Sequence, residues 1–234
     1  RWKSIDVQNS TLLVIHKNQF DAVIFDMDGV LIDSEPLWKI AMEEAFHSVG
    51  CSITREDFQQ TVGLRIDEVV RYWHSERGWD GLSCEQLEDR IVQKMIALIR
   101  ANGDPLPGVL ATIHYLRKSG FKIGLGTSSY RVLIDTVLES LGLTDSFDFT
   151  HSAEDEIHGK PNPAVYLTVA SRLNVDPKRC LVIEDSFNGI VAGLAAQMKV
   201  VCIPEKSHHP DPRLAIATET FEDMDQFLKT FKND

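Results

Sequence analysis

Short apolar runs alternate along the chain with longer stretches in which apolar residues return every third or fourth position. Ala22-Val23-Ile24-Phe25, entered at Asp21 and stopping at acids and a glycine, reads as a buried strand. The same signature recurs at Phe121–Gly126, Phe147–Phe149, Cys180–Ile183 and Val200–Ile203. Between these runs lie helical patterns. Pro107 fits a first-turn position ahead of Leu110, Ile113 and Leu116, Val132 to Leu141 ends at Gly142, and Pro163 opens a stretch with Val165, Val169 and Leu173 on one face. Strands separated by helices of about 10–15 residues predict βαβ units. The fold class is therefore α/β, a Rossmann-like parallel sheet covered on both faces.

One segment breaks the alternation. From Glu35 to Leu106 the pattern is helical with no convincing strand. Ser34 is placed to cap a helix bearing Leu37, Ile40, Ala41 and Ala45, and Ile66, Val69, Val70 and Trp73 make a second stripe. Ser83 and Gln86 form a capping box before Leu87, Ile91 and Met95. The organisation expected is an irregular N-terminal extension over 1–19, a catalytic core of 20–34 and 107–234, and a helical cap of 35–106. The hinges fall near Ile32–Glu35 and Gly103–Gly108.

Composition is ordinary for a globular chain of 234 residues, with 43% hydrophobic and 25% charged positions. The 24 basic and 35 acidic side chains give a net charge of −11, which argues against wrapping nucleic acid or docking on anionic lipid. An anionic substrate would need local positive side chains or a bound cation. Cysteines 51, 84, 180 and 202 form no CxxC pair, and Cys180 and Cys202 sit in apolar runs as buried thiols. Leu12–Ile15 is too short for a signal-peptide core, and no stretch approaches the roughly 20 apolar residues of a membrane helix. A monomeric, cytoplasmic protein in a reducing compartment is expected. His208-His209 lies in a Pro-bounded loop and reads as a solvated pair.

In an open parallel sheet ligands bind outside the carboxyl ends of the strands, so the residues that end each run carry the chemistry. The first run ends Asp26-Met27-Asp28-Gly29, the second Thr127-Ser128-Ser129, and that at 180–183 ends Glu184-Asp185-Ser186. Carboxylates crowded on one rim repel, and a hard divalent cation such as Mg²⁺ relieves them. Asp26 and Asp28, two apart in extended chain, point to one side, so one can bind metal and attack while the other handles a proton.

Phe25-Asp26-Met27-Asp28-Gly29-Val30 resembles the first motif of the haloacid dehalogenase superfamily, in its Asp-x-Asp phosphatase branch. Thr127 matches the hydroxyl motif, Lys160 in Gly159-Lys160-Pro161 the lysine motif, and Glu184-Asp185 the acidic motif, all in the family's order. Residues Asp33–Trp38 and Gly63–Asp67 are similar to bacterial sugar-phosphate phosphatases acting on hexitol phosphates and 2-deoxyglucose 6-phosphate. The resemblance implies that Asp26 is a nucleophile forming an aspartyl phosphate and Asp28 a general acid and base. It further implies that Thr127 and the Ser128 amide bind phosphoryl oxygens while Lys160 offsets their charge. Mg²⁺ would be held by Asp26, the Asp28 carbonyl and Asp185, with Glu184 a ligand or a support behind the ligands. The side chains of Ser128 and Ser129 have no assigned part. Arg65 either touches substrate or pairs with Asp67 or Glu68. Glu35 and Trp38 either line a sugar pocket or, for Trp38, pack inside the cap.

The function implied is Mg²⁺-dependent hydrolysis of a small phosphorylated sugar or sugar alcohol. A phosphomutase of the β-phosphoglucomutase type shares the four motifs, but those enzymes carry a cap histidine where Trp38 stands here. A pseudouridine 5′-phosphate phosphatase shares the His158-Gly159-Lys160-Pro161 run. A non-catalytic binding module on the same scaffold is the reading of a different class.

Overall fold

The computed structural model describes residues 15–205 and 211–233; residues 1–14 and the pair His208-His209 lie outside that range. Six strands, β1 (Ala22–Phe25), β2 (Lys122–Thr127), β3 (Phe149–Ser152), β4 (Cys180–Glu184), β5 (Lys199–Cys202) and β6 (Glu219–Thr220), form one parallel sheet in the order β3-β2-β1-β4-β5-β6. The helices are α1 (Glu35–His47), α2 (Arg55–Thr61), α3 (Ile66–Arg77), α4 (Cys84–Asn102), α5 (Val109–Lys118), α6 (Arg131–Ser140), α7 (Ala164–Leu173), α8 (Phe187–Ala195) and α9 (Met224–Asn233).

The two-residue period of the strands divides the core. Val23, Phe25, Ile123 and Leu125 join one buried cluster with Ile113 and Leu116 of α5 and Phe227 and Phe231 of α9. Ala22, Ile24, Cys180 and Val182 face the other way, onto Val165 and Val169 of α7 and Ile190 of α8. Both sides of β1 are thus dry, which is why its run is continuously apolar.

Helices α1 to α4 intervene between β1 and α5, with α1 and α3 packing on α4. Their buried residues, among them Ala41, Phe46, Val70 and Met95, are continuous with the first cluster. Ser83 accepts a hydrogen bond from the Gln86 amide at 3.2 Å while the Gln86 side chain accepts one from Ser83 N at 2.9 Å, the capping box read from the sequence.

Several expectations shift. The third strand runs over Phe149–Ser152 rather than 147–149, because Thr150, His151 and Ser152 bond to Arg131, Glu156 and Ser129 instead of forming an apolar run. Helix α5 begins at Val109 with Gly108 as its cap, leaving Pro107 outside. The N-terminal extension is held down from Ile15 onward: Ile15 and Phe20 are buried, and the Phe20 ring stacks on Phe231 at 6.5 Å. Ser34 occupies the cap position of α1, but its side chain caps nothing and turns toward Asp28.

Candidate active site

The parallel register sets Phe25 level with Leu125 on one side and Ile183 on the other. The residues that follow, Asp26, Thr127 and the Glu184-Asp185 pair, therefore leave adjacent strands at one rim, where the strand order reverses. The Asp26 amide is still tied to the sheet, donating to Ile183 O at 3.0 Å. Lys160, from the loop before α7, reaches under this rim and is 2% exposed. Its ammonium donates to Asp26 Oδ1 at 2.9 Å and to Glu184 Oε1 at 2.7 Å.

Glu184 is fully buried and engaged on both oxygens. Oε1 accepts from Lys160 and from the Tyr166 hydroxyl at 2.7 Å, while Oε2 accepts from the amides of Asp185 and Ser186, each at 3.0 Å, and from Ser186 Oγ at 3.1 Å. Space for it depends on Gly189, where a Cβ would stand 1.6 Å from Oε1. Burial works against charge on both Glu184 and Lys160. Each is the other's counter-ion, so Glu184 is held below and Lys160 above its ordinary range.

The remaining acids are less well served. Burial lifts the Asp26 carboxyl to about 7, with Lys160 opposing and Glu184 and Asp28 adding to the rise. Burial, then Glu184 and Asp26, push Asp185 well above its usual value. Oxygens of Asp26, Glu184 and Asp185 lie within 4.8 Å of one another, so three carboxyl groups face a single ammonium. The Asp185 carboxylate accepts no hydrogen bond from the described residues, and Asp26 is engaged through Oδ1 alone. An all-oxygen, electron-rich cluster short of positive charge and of donors fits a hard divalent cation. Gly29 permits the close approach, with φ +70° and an added Cβ only 1.9 Å from Asp185 Oδ2.

Asp28 is held differently. Oδ1 accepts from Ser34 Oγ at 2.6 Å and Trp38 Nε1 at 2.8 Å, and Oδ2 accepts from Ser129 Oγ at 2.6 Å. Its side chain is thus committed to hydroxyl and indole donors, away from the cluster that Lys160 serves. Thr127, 1% exposed, accepts from the Ser129 amide at 3.1 Å. Ser128 Oγ donates to Gly63 O in the inserted segment at 2.8 Å.

A cavity of about 660 Å³ opens above this rim, between the inserted helices and the sheet. Asp26, Asp28, Asp185, Thr127 and Ser128 lie on its floor side, and Glu35 and Trp38 line it from α1. Arg65 does not line it. Its guanidinium, 9% exposed, donates through one nitrogen to Ala153 O at 2.9 Å and Glu156 O at 2.8 Å, and pairs with Asp67 at 3.2 Å. Of the two sequence readings of Arg65, the structure shows the ion pairing and adds two bonds to the core backbone. Sequence reasoning gave Ser34 only a helix cap, and gave Ser129 and Tyr166 no part in the site. Ser129 stood in the Thr-Ser-Ser run as a signal, whereas Tyr166 is one residue on an amphipathic helix face and carried none.

Comparison with known proteins gives the family. A model of the haloacid dehalogenase-like hydrolases matches residues 20–197, and the chain belongs to that family. It is 40% identical to hexitol phosphatase B of Escherichia coli K12 over 200 residues, 85% of this chain and 90% of that one. A probable pseudouridine-5′-phosphatase of Drosophila melanogaster is 30% identical over 204 residues, 82% of each chain. The structure of a β-phosphoglucomutase from Clostridium difficile superposes with a TM-score of 0.78 at 26% identity, covering 92% of this chain and 97% of that one. The protein is an enzyme of the hydrolase class. Among the described residues no helix is long and apolar enough to cross a membrane.

Proposed function

We propose that this protein is a Mg²⁺-dependent phosphatase that hydrolyses small sugar or sugar-alcohol phosphates through an aspartyl phosphate on Asp26. The observation that carries the reading is the separation of two aspartates two residues apart. Asp26 lies in the buried cluster with Lys160, Glu184 and Asp185, and Asp28 is held apart by neutral donors at the cavity. Asp26 and Asp185, with the Asp28 carbonyl, would hold the ion, and Glu184 anchors Lys160 beside them. When bound, the ion neutralises charge on the phosphoryl oxygens and draws the anion to an acidic protein.

The residues divide the work. A carboxylate oxygen of Asp26 bonds to phosphorus as the bond from phosphorus to the substrate's alcohol oxygen breaks. Asp28 gives its proton to that oxygen and later takes one from the water that attacks phosphorus and frees Asp26. Thr127, the Ser128 amide and Lys160 face the negative charge gathered on the phosphoryl group. The segment 35–106 serves as the cap that closes over substrate and excludes water.

A second phosphate has little to meet. Among the described residues lining the cavity, Lys39 is the one cation, and Arg65 is committed to backbone carbonyls and Asp67. This favours hydrolysis over a mutase, whose bisphosphate intermediate needs a second cationic site. The relation to hexitol phosphatase B supports a polyol substrate. The test is product analysis with a hexitol 6-phosphate, 2-deoxyglucose 6-phosphate, β-glucose 1-phosphate and pseudouridine 5′-phosphate, each with Mg²⁺ and with EDTA. Metal-dependent release of phosphate from the first two is expected. Efficient conversion of β-glucose 1-phosphate to glucose 6-phosphate, or strong preference for the nucleotide, overturns the proposal.

A further inference from the structure

The cavity over the candidate active site is larger and more apolar than a phosphorylated polyol requires. At about 660 Å³ it falls in the size range that encloses a drug-sized ligand. Away from the floor its wall is apolar: Met42 on α1, Phe58 on α2, Leu64 before α3, Leu106 at the return to the core, and Ile203 after β5. All five are half-buried. Met42, Leu64, Leu106 and Ile203 rest against the first core cluster on one side and line the cavity on the other, while Phe58 joins neither cluster. Glu35, Lys39 and Glu205 also line the cavity but are exposed, which puts their charges at its mouth. A hydroxyl laid against the wall gives up water and gains no partner. A hydrocarbon group laid there takes its own apolar surface and that of the wall out of water.

We infer that the protein also hydrolyses phosphate monoesters of apolar alcohols, the phosphate at Asp26 and the hydrocarbon chain along Met42, Phe58 and Leu64. The bond from phosphorus to the alcohol oxygen breaks as Asp26 attacks, and Asp28 gives that oxygen its proton. Water then frees Asp26, so the products are the alkanol and inorganic phosphate. The inference rests on the phosphatase reading and extends its substrates beyond sugars and sugar alcohols.

The experiment is phosphate release, in Mg²⁺, from ethyl, butyl and hexyl phosphate and from a hexitol 6-phosphate. The alcohols of the three alkyl esters ionise alike, so the chemical step is held constant and chain length reads the wall alone. Burying one methylene is worth up to about fourfold, so kcat/KM should rise at least about tenfold from ethyl to hexyl phosphate. Met42→Gln keeps the length of the side chain and makes the wall polar, and should cut that rise about threefold or more. Leu64→Gln does the same from the loop before α3, should Met42→Gln fail to fold. A rise under about tenfold, or an undiminished rise in a folded variant, overturns the inference, while hydrolysis of the hexitol phosphate keeps the phosphatase reading. No Mg²⁺-dependent release from any of the esters removes that reading and the inference with it.

Discussion

Glu184 and Asp185 are adjacent acids at one rim, yet the structure gives their neutralisation opposite consequences. Glu184→Gln keeps the shape but leaves one acceptor oxygen where two are engaged. If that oxygen faces Lys160 and Tyr166, the new amide points at the backbone N–H groups of Asp185 and Ser186. If it faces the backbone, the amide points at an ammonium and at a hydroxyl that burial keeps protonated. The first pose strands two buried donors at about 1–3 kcal/mol each and takes one of two counter-charges from Lys160. A loss of about 3–5 kcal/mol is expected. Asp185→Asn removes a carboxyl whose charge is disfavoured in the folded state, since burial and its neighbours raise its pKa. The ion-free protein at neutral pH should therefore be no less stable, and should lose its stabilisation by Mg²⁺. Urea denaturation in EDTA and in Mg²⁺ reads both. A loss below about 1 kcal/mol for Glu184→Gln, or an equal loss for Asp185→Asn, would refute the reasoning.

Other expectations follow from neighbouring groups. Because burial raises Asp26 to about 7, metal binding below that pH must displace its proton. Mg²⁺ affinity should fall by at least about tenfold per pH unit between about pH 7 and 5, more steeply where Asp185 also gives up a proton, with protons released on binding, measured by calorimetry in buffers of different ionisation enthalpy. A flat affinity over that range would contradict the assignment. Arg65→Met strips two bonds from the carbonyls of Ala153 and Glu156 and leaves Asp67, 8% exposed, without that counter-charge. About 2–4 kcal/mol of stability should be lost, with kcat/KM falling by a common factor on sugar phosphates and p-nitrophenyl phosphate. An altered substrate ranking at unchanged stability would instead put the guanidinium at the substrate.

Much of this site was legible because burial on both faces makes a parallel strand continuously apolar, so its end is abrupt. Asp26, Thr127 and Glu184 stood out as the polar residues where such runs stop. The inserted helices showed by their period. What escaped reading depends on tertiary partners. Ser34 has the sequence of a helix cap, yet Asp28 offers its hydroxyl a charged acceptor and takes it from the helix. Trp38 read equally as wall or filler, because nothing local shows where an indole N–H points. Strand β3 was displaced since its polar side chains bond across the loops around it. Helix α8 is apolar on nearly every side and so lacks the polar face that marks a helical period, and the two-residue β6 is too short to show one.

The central claim is covalent: phosphate passes through the carboxylate of Asp26. The direct measurement is to quench the enzyme during turnover of a hexitol 6-phosphate, reduce it with borohydride, and map the peptides by mass spectrometry. An acyl phosphate is reduced to the alcohol, so the account predicts homoserine in place of Asp26 in the wild type, with Asp28 untouched and Asp26→Asn releasing only traces of phosphate. Phosphate release at the normal rate with Asp26 unmodified, or with the label on another residue, would contradict it.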